Sequence, residues 1–167
     1  YFTPKFMVNM TLGESFANNQ IEQYSFMDGT VLNTTYGNIV RSRWTNFTTF
    51  MNYALTPKTR IMFNGGVDYG DIRSNQLGEH SHGWQATGFL GLQQTLPWKL
   101  KWSMFVGGLT KKYSLQGYNG GFNMFNTSLS KSLVKDKLDI SLMYFVPLTG
   151  KIKISQYSRG AGFENRM

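Results

Sequence analysis

Seven stretches of this chain alternate apolar and polar residues with a period of two, and this pattern restricts the fold more than any other feature. In the first stretch Phe6, Val8 and Met10 share one face, whereas Asn9 and Thr11 share the other. A strand places successive side chains on opposite faces, whereas a helix repeats every 3.6 residues, so the pattern predicts strands. The other six stretches lie within residues 46–55, 60–69, 84–93, 99–106, 125–133 and 138–146.

The composition agrees with an all-β fold. Aromatic residues make up 16% of the chain and glycine contributes 18 residues, whereas Asp and Glu together number 9. Aromatic side chains suit a pleated surface and glycine suits turns, so strands are favoured over helices. The chain has no run of about 18 apolar residues, which excludes a helical membrane protein. It also has no cysteine, which excludes a disulfide scaffold and a zinc–thiolate site.

The connections between the stretches alternate in length. Short turns are predicted at residues 56–58, 96–98 and 134–137, and longer polar links at residues 70–83, 111–121 and from 149 onward. The first two stretches are expected to form a tall hairpin with Asp28-Gly29 at its tip. Short turns at one end and long loops at the other are typical of an outer-membrane β-barrel, whose turns face the periplasm.

Aromatic residues and polar faces support a membrane barrel over a soluble one. Tyr53, Trp98, Trp102 and Tyr144 lie near predicted strand ends, where amphipathic rings settle at a membrane interface. The alternative is that these rings belong to the rim or core of a soluble barrel. The opposite faces are rich in Asn, Thr, Ser, Gln and Lys, whereas a small soluble barrel needs an apolar interior.

The membrane interpretation assigns a direction to individual side chains, because a strand in a barrel wall has one face toward lipid and one toward the lumen. The residues expected to face lipid are Phe47, Met51, Ile61, Phe63, Leu90, Leu100, Met104, Ile140 and Leu142. The residues expected to face the lumen are Asn46, Asn64, Gln93, Ser103 and Ser141.

The number of predicted strands bears on how much of a barrel this chain contains. Backbone groups in lipid must all be paired, so a barrel must close, and bacterial single-chain barrels have an even number of at least eight strands. Seven strands cannot satisfy this requirement. We therefore expect residues 1–167 to form a C-terminal part of a larger closed barrel, with further strands before Tyr1 and a final strand after Met167.

Three segments resemble a known family. Residues 128–142, residues 24–31 followed by 35–38, and Gly83-Trp84 at the start of a strand are similar to parts of the outer-membrane β-barrel family related to TonB-dependent receptors. The resemblance extends over nearly the whole chain, and its motifs describe barrel wall rather than a ligand site. It implies a barrel of about 22 strands with an N-terminal plug, which this chain does not contain, and a periplasmic partner, TonB, that supplies energy.

These features together predict an outer-membrane receptor or transporter of TonB-dependent type, with this segment forming barrel wall, lumen lining and extracellular loops. Expected partners are outer-membrane lipid, the rest of the barrel and its plug, TonB, and a surface lipoprotein. One alternative is a structural or scaffold barrel in an envelope or secretion complex, and another is a soluble β-barrel binding protein. Nucleic acid is not an expected partner, because the basic residues behind the net charge of +8 are spread in pairs along the chain.

Two histidines form the candidate metal site. On an extended chain His80 and His82 point the same way, so they could share an ion with Glu79 or Asp71. The alternative is a polar loop tip that contains two histidines by chance.

Three tyrosines are the candidate ligand contacts. Tyr113, Tyr118 and Tyr157 lie in or beside predicted extracellular loops, where aromatic rings can stack on sugars or peptides. The alternative is that they brace the loops against each other. No cofactor and no catalytic residue are expected, because the histidines share one loop and no serine stands in a Gly-x-Ser-x-Gly motif; Ser81, beside both histidines, is the one position where a hydrolase could be sought.

Overall fold

A computed structural model describes residues 3–134, 138–149 and 155–166. Within these residues seven strands form one antiparallel sheet in the order β1-β2-β3-β4-β5-β8-β9, with β1 and β9 at its open edges. The seven stretches of alternation correspond to these strands, so the all-β antiparallel prediction is confirmed. The strands are β1 (Phe6–Asp28), β2 (Val31–Thr56), β3 (Thr59–Ser74), β4 (Glu79–Thr95), β5 (Leu100–Leu109), β8 (Phe122–Val134) and β9 (Leu138–Pro147).

Four short strands form a second sheet in the order β11-β10-β7-β6. They occupy segments that the sequence predicted as loops, at residues 111–121 and from 149 onward. Short polar strands lack the long apolar alternation that identifies a strand in a membrane wall, so the sequence pattern does not predict them. The strands are β6 (Lys112–Ser114), β7 (Gly117–Asn119), β10 (Gln156–Gly160) and β11 (Phe163–Arg166).

At one end of the main sheet, called the long-loop end because residues 110–121 connect β5 to β8 there, the strands extend as tall hairpins. The tall hairpin is confirmed, because β1 and β2 pair from Phe6 and Tyr53 up to Asp28 and Val31, and Gly29 adopts a φ of 61° at the tip. The predicted long link at residues 70–83 is wrong, because β3 and β4 extend through it and leave only the turn at residues 75–78.

At the other end of the sheet the turns are short. Pro57 and Lys58 join β2 to β3, and a 3₁₀ turn at Pro97–Lys99 precedes β5. Of the third predicted short turn, residues 135–137 lie outside the described residues.

The two faces of the main sheet separate the two predicted sets of residues. Directly opposed residues share a face in an antiparallel sheet, and the register runs from Met51 through Phe63 and Leu90 to Val106. All nine residues expected to face lipid lie on this face, and all five expected to face the lumen lie on the other. None of the nine apolar residues is buried, so they do not form a closed interior.

Two aromatic rows bound the apolar face. The lower row, near the short turns, contains Phe6, Tyr53 and Tyr144 in direct register across the sheet. The rings of Phe6 and Tyr53 meet edge to face. The upper row contains Tyr69 and Trp84, whose ring centroids lie 5.0 Å apart. Eight residues of β3 separate the rows, which corresponds to about 27 Å along a strand and about 20 Å in height at the usual tilt of a barrel strand. Within the described residues no helix is long and apolar enough to cross a membrane.

Candidate ligand-binding surface

The β6–β7 hairpin crosses the polar face of the main sheet near the long-loop end. Leu115, at its turn, is buried in a cluster with Val40 of β2 and Ile72 of β3. The register of β2 and β3 assigns Val40 and Ile72 to the face that carries Asn46 and Asn64. Few large side chains in the described residues are as deeply buried as these three. The hairpin is therefore held by the main sheet rather than projecting as a free loop.

The ring of Tyr113, at the start of this hairpin, packs against Gly83 of β4. An added Cβ at Gly83 would lie 2.5 Å from ring carbons of Tyr113, so the ring rests directly on the backbone of β4. Real Cβ atoms essentially never approach a neighbour this closely. The sequence motif Gly83-Trp84 thus serves two faces, since glycine accommodates Tyr113 on the polar side and Trp84 joins the aromatic row on the apolar side.

A side-chain amide fixes the far end of the hairpin. The Gln116 Nε2 atom donates to the Ser25 carbonyl at 3.0 Å, and the Ser25 N–H donates to Gln116 Oε1 at 2.8 Å. The Arg159 N–H donates to the Gln116 carbonyl at 2.7 Å, which connects the same residue to β10. One glutamine therefore joins the first long hairpin, the β6–β7 turn and the second sheet.

The three candidate tyrosines form a continuous row across the second sheet. Tyr113 is directly opposite Tyr118, and Tyr118 is directly opposite Tyr157. The ring centroids of Tyr113 and Tyr118 lie 6.3 Å apart in an edge-on arrangement, and those of Tyr118 and Tyr157 lie 5.4 Å apart and stacked. The Lys111 ammonium lies 4.2 Å from the Tyr118 centroid, a cation–π distance.

This row has the chemistry of a stacking surface and also braces the second sheet. The three tyrosines are half-buried, and each ring contacts a neighbouring ring. Tyrosine offers large amphipathic area at little cost in rotamer freedom. The structure brings the three residues together, and their contact with a ligand stays a prediction.

The histidine pair lies on the apolar face above Tyr69 and Trp84. The rings of His80 and His82 are 5.0 Å apart, and His80 Nε2 lies 3.3 Å from an Asp71 carboxylate oxygen. Two Arg73 nitrogens already hold that carboxylate, each at 2.7 Å. The hydrogen bonds from Arg73 outweigh the opposing effect of burial, and together with the charges of Arg73 and His80 they lower the Asp71 pKa to about 2.

The remaining predicted metal ligand is placed apart from this pair. Glu79 alternates with His80 along β4 and so belongs to the opposite face. In the described part of the chain no group of three or more His, Cys, Asp or Glu residues is arranged to hold a metal ion. Metal binding by His80 and His82 stays a prediction.

The sequence alone does not predict the roles of three residues at this surface. Gln116 contacts Ser25, which is far away in the sequence, and Lys111 contacts Tyr118 in a neighbouring short strand. Gly83 contributes by lacking a side chain. The one available signal was the position of Gly83 in a strand, because an interior glycine often marks a close approach of another group.

A family model described as the outer membrane protein beta-barrel family matches residues 1–166. No curated protein and no solved structure matches the chain.

Proposed function

The chain belongs to the outer membrane protein β-barrel family of the bacterial outer membrane, and we propose that it acts there as a receptor and transporter of TonB-dependent type. The observation that carries this proposal is the tyrosine row, which begins over the polar face of the main sheet at the long-loop end. In an outer-membrane barrel the polar face lines the lumen and the long loops are extracellular. The row would then lie at the outer mouth of the lumen, where an imported ligand first makes contact.

The wall around this mouth would require more strands than the described sheet contains. β1 and β9 are its edges, and unpaired edge groups are costly in hydrocarbon. We propose that both edges pair with further strands of a barrel of about 22, with a plug in its lumen. TonB would act on the plug from the periplasm, and this segment would do no covalent chemistry.

The proposed ligands are sugars or peptides that stack on tyrosine. The rings of Tyr118 and Tyr157 provide flat apolar area, and the Lys111 ammonium adds a positive charge beside Tyr118. Stacked aromatic contacts contribute about 0.5–1.5 kcal/mol beyond area burial, so loss of one ring would weaken binding without abolishing it.

Uptake by whole cells tests the proposal. The probes are fluorescently labelled dextran oligosaccharides and labelled casein peptides, applied to the native strain and to a strain lacking the gene. We expect the native strain to accumulate one probe class, and a protonophore to stop that accumulation. Tyr118→Ala should reduce uptake several-fold, whereas Tyr36→Ala, an exposed ring on the tall hairpin, should not.

Two results would contradict the transporter proposal. One is equal accumulation with and without the gene for both probe classes. The other is accumulation that a protonophore leaves unchanged, since passive diffusion through a pore requires no energy.

A scaffold role is the second candidate, and the tall hairpin favours it. From Thr45, in register with the upper aromatic row, β2 continues back to Val31, about 46 Å along a strand. Ile21 and Tyr36 are diagonal neighbours on one face of this hairpin and are 68% and 70% exposed, and an exposed apolar patch often marks a protein contact. A surface lipoprotein or secretion component would be the partner. Cross-linking from Tyr36 in intact cells should capture it, and a hairpin without cross-links would count against this candidate.

A further inference from the structure

Basic side chains follow the upper aromatic row on the apolar face. Tyr69 and Trp84 end the apolar part of this face, and the next two rows toward the hairpin tip contain three arginines, two histidines and one aspartate. These rows are Arg43, Asp71 and His82 in the first, and Arg41, Arg73 and His80 in the second.

The height of these rows corresponds to the headgroup layer of a bilayer. They lie two and four residues beyond the aromatic row, about 7 and 13 Å along a strand. At the tilt of barrel strands this corresponds to about 5 and 10 Å above the aromatic row. The headgroup region extends about 5–8 Å beyond the hydrocarbon on each side. The first row therefore lies within the headgroup layer. The second row lies about 2 Å beyond its outer limit, a distance that a long arginine side chain can span.

The arginines in these rows keep capacity for another anion. The Arg43 side chain is 73% exposed, and its ion pair with Glu14 is long, at 3.7 Å. Arg73 holds Asp71 with two nitrogens but its side chain remains 59% exposed. Across residues 3–134, 138–149 and 155–166, no carboxylate forms an ion pair with Arg41.

We propose that these two rows bind the phosphate groups of outer-leaflet lipids. Guanidinium matches phosphate geometry with paired N–H donors and loses less hydration than an ammonium. Below the arginines the same face carries Tyr69 and then Phe47 and Val67, where the acyl chains of a lipid would lie. A lipid with a phosphorylated headgroup matches both parts at once, whereas a soluble anion matches only the upper one.

The experiment counts lipids retained by the protein purified from its native outer membrane in neutral detergent. Native mass spectrometry is performed after addition of phosphatidic acid, or of diacylglycerol with the same acyl chains as a lipid without phosphate. We expect phosphatidic acid to be retained and diacylglycerol to be lost. Arg41→Gln combined with Arg43→Gln and Arg73→Gln should weaken retention about tenfold.

A matched variant separates this site from general charge. Lys58→Gln with Arg60→Gln and Lys101→Gln removes the same number of positive charges near the short turns. It should leave retention unchanged. Equal loss in both variants, or equal retention by the native protein and the arginine variant, would overturn the proposal.

A single substitution guards against misfolding of the triple variant. Arg41→Gln breaks no ion pair found in the described residues, so the folded state should be preserved. Heat-modifiable migration on a gel verifies the fold. We expect about threefold weaker retention of phosphatidic acid, and retention equal to that of the native protein would contradict the assigned site.

Discussion

The side chain of Gln116 forms hydrogen bonds with both the N–H and the carbonyl of Ser25, which lies 91 residues earlier in the chain. The amide therefore replaces the strand neighbour that Ser25 lacks at this edge of β1. Gln116→Leu should remove both hydrogen bonds and loosen the β6–β7 hairpin by about 1–3 kcal/mol, because the Ser25 groups would be left without a partner. Limited proteolysis of intact cells should then cleave near Gly117 much faster than in the native protein.

Gln116→Glu is the matched control for this prediction. A carboxylate still accepts from the Ser25 N–H but cannot donate to its carbonyl. Protection should therefore fall between that of the native protein and that of Gln116→Leu. Equal protection in all three would show that Leu115 and its neighbours hold the hairpin without the amide.

Substitution of Gly83 should displace Tyr113. A methyl group at this position would overlap the ring, so Gly83→Ala should lift the hairpin from β4 and increase its proteolysis. Gly88→Ala is the control in the same strand, because nothing lies within 4 Å of the added carbon. Adding Tyr113→Ala to Gly83→Ala should remove the overlap. If the double variant is cleaved no more slowly than the single variant, the overlap is not the cause.

A charged side chain should hinder membrane insertion when it lies on the apolar face of the main sheet but not when it lies on the polar face. Leu90→Arg places a guanidinium one row from the middle of the apolar band, which costs about 2–4 kcal/mol at the midplane of a bilayer. Asn64→Arg places the same group at a similar height on the opposite face and should be nearly neutral. The fraction of protein with heat-modifiable migration after folding into phosphatidylcholine vesicles measures the difference. Equal fractions would contradict the assignment of the two faces.

The histidine pair should bind copper more tightly when Asp71 no longer forms hydrogen bonds with Arg73. Cu²⁺ is suited to imidazole, and His80 and His82 lie close enough to share it. We expect His80→Ala to weaken Cu²⁺ binding in calorimetric titration of the purified protein. Arg73→Gln should strengthen it, because the Asp71 carboxylate would lose the partner that now occupies both oxygens. Titrations unaffected by either change would place any bound copper elsewhere.

Strand directions were predictable because alternation is a local property of the sequence. The facing of Met51 and Leu90, and the shared face of His80 and His82, follow from period two once a strand is assumed. The alternation pattern does not reveal the β3 and β4 extensions, because Asp71 and Arg73 stand where an apolar residue would mark a membrane strand. These charges are stable there because the strands have already passed the upper aromatic row.

The packing of the β6–β7 hairpin over the polar face could not be predicted from alternation. It depends on contacts between Leu115 and Val40 and between Gln116 and Ser25, which join distant parts of the chain. Likewise the tyrosine row depends on pairing between β7 and β10, which are separated by two long strands. The position of each tyrosine in a predicted loop is enough to make it a candidate, but only the strand register shows that the three are neighbours.

The separation of the aromatic rows has a consequence for hydrophobic matching. A band about 20 Å in height is shorter than the hydrocarbon thickness of an average bilayer, about 30 Å. Surrounding lipids must therefore compress around this wall, at a cost of a fraction of a kcal/mol for each ångström of mismatch. The bacterial outer membrane is thinner than average, which lowers that cost. The spacing from Ile61 to Tyr69 therefore favours a thin bilayer, such as the bacterial outer membrane, over one of average thickness.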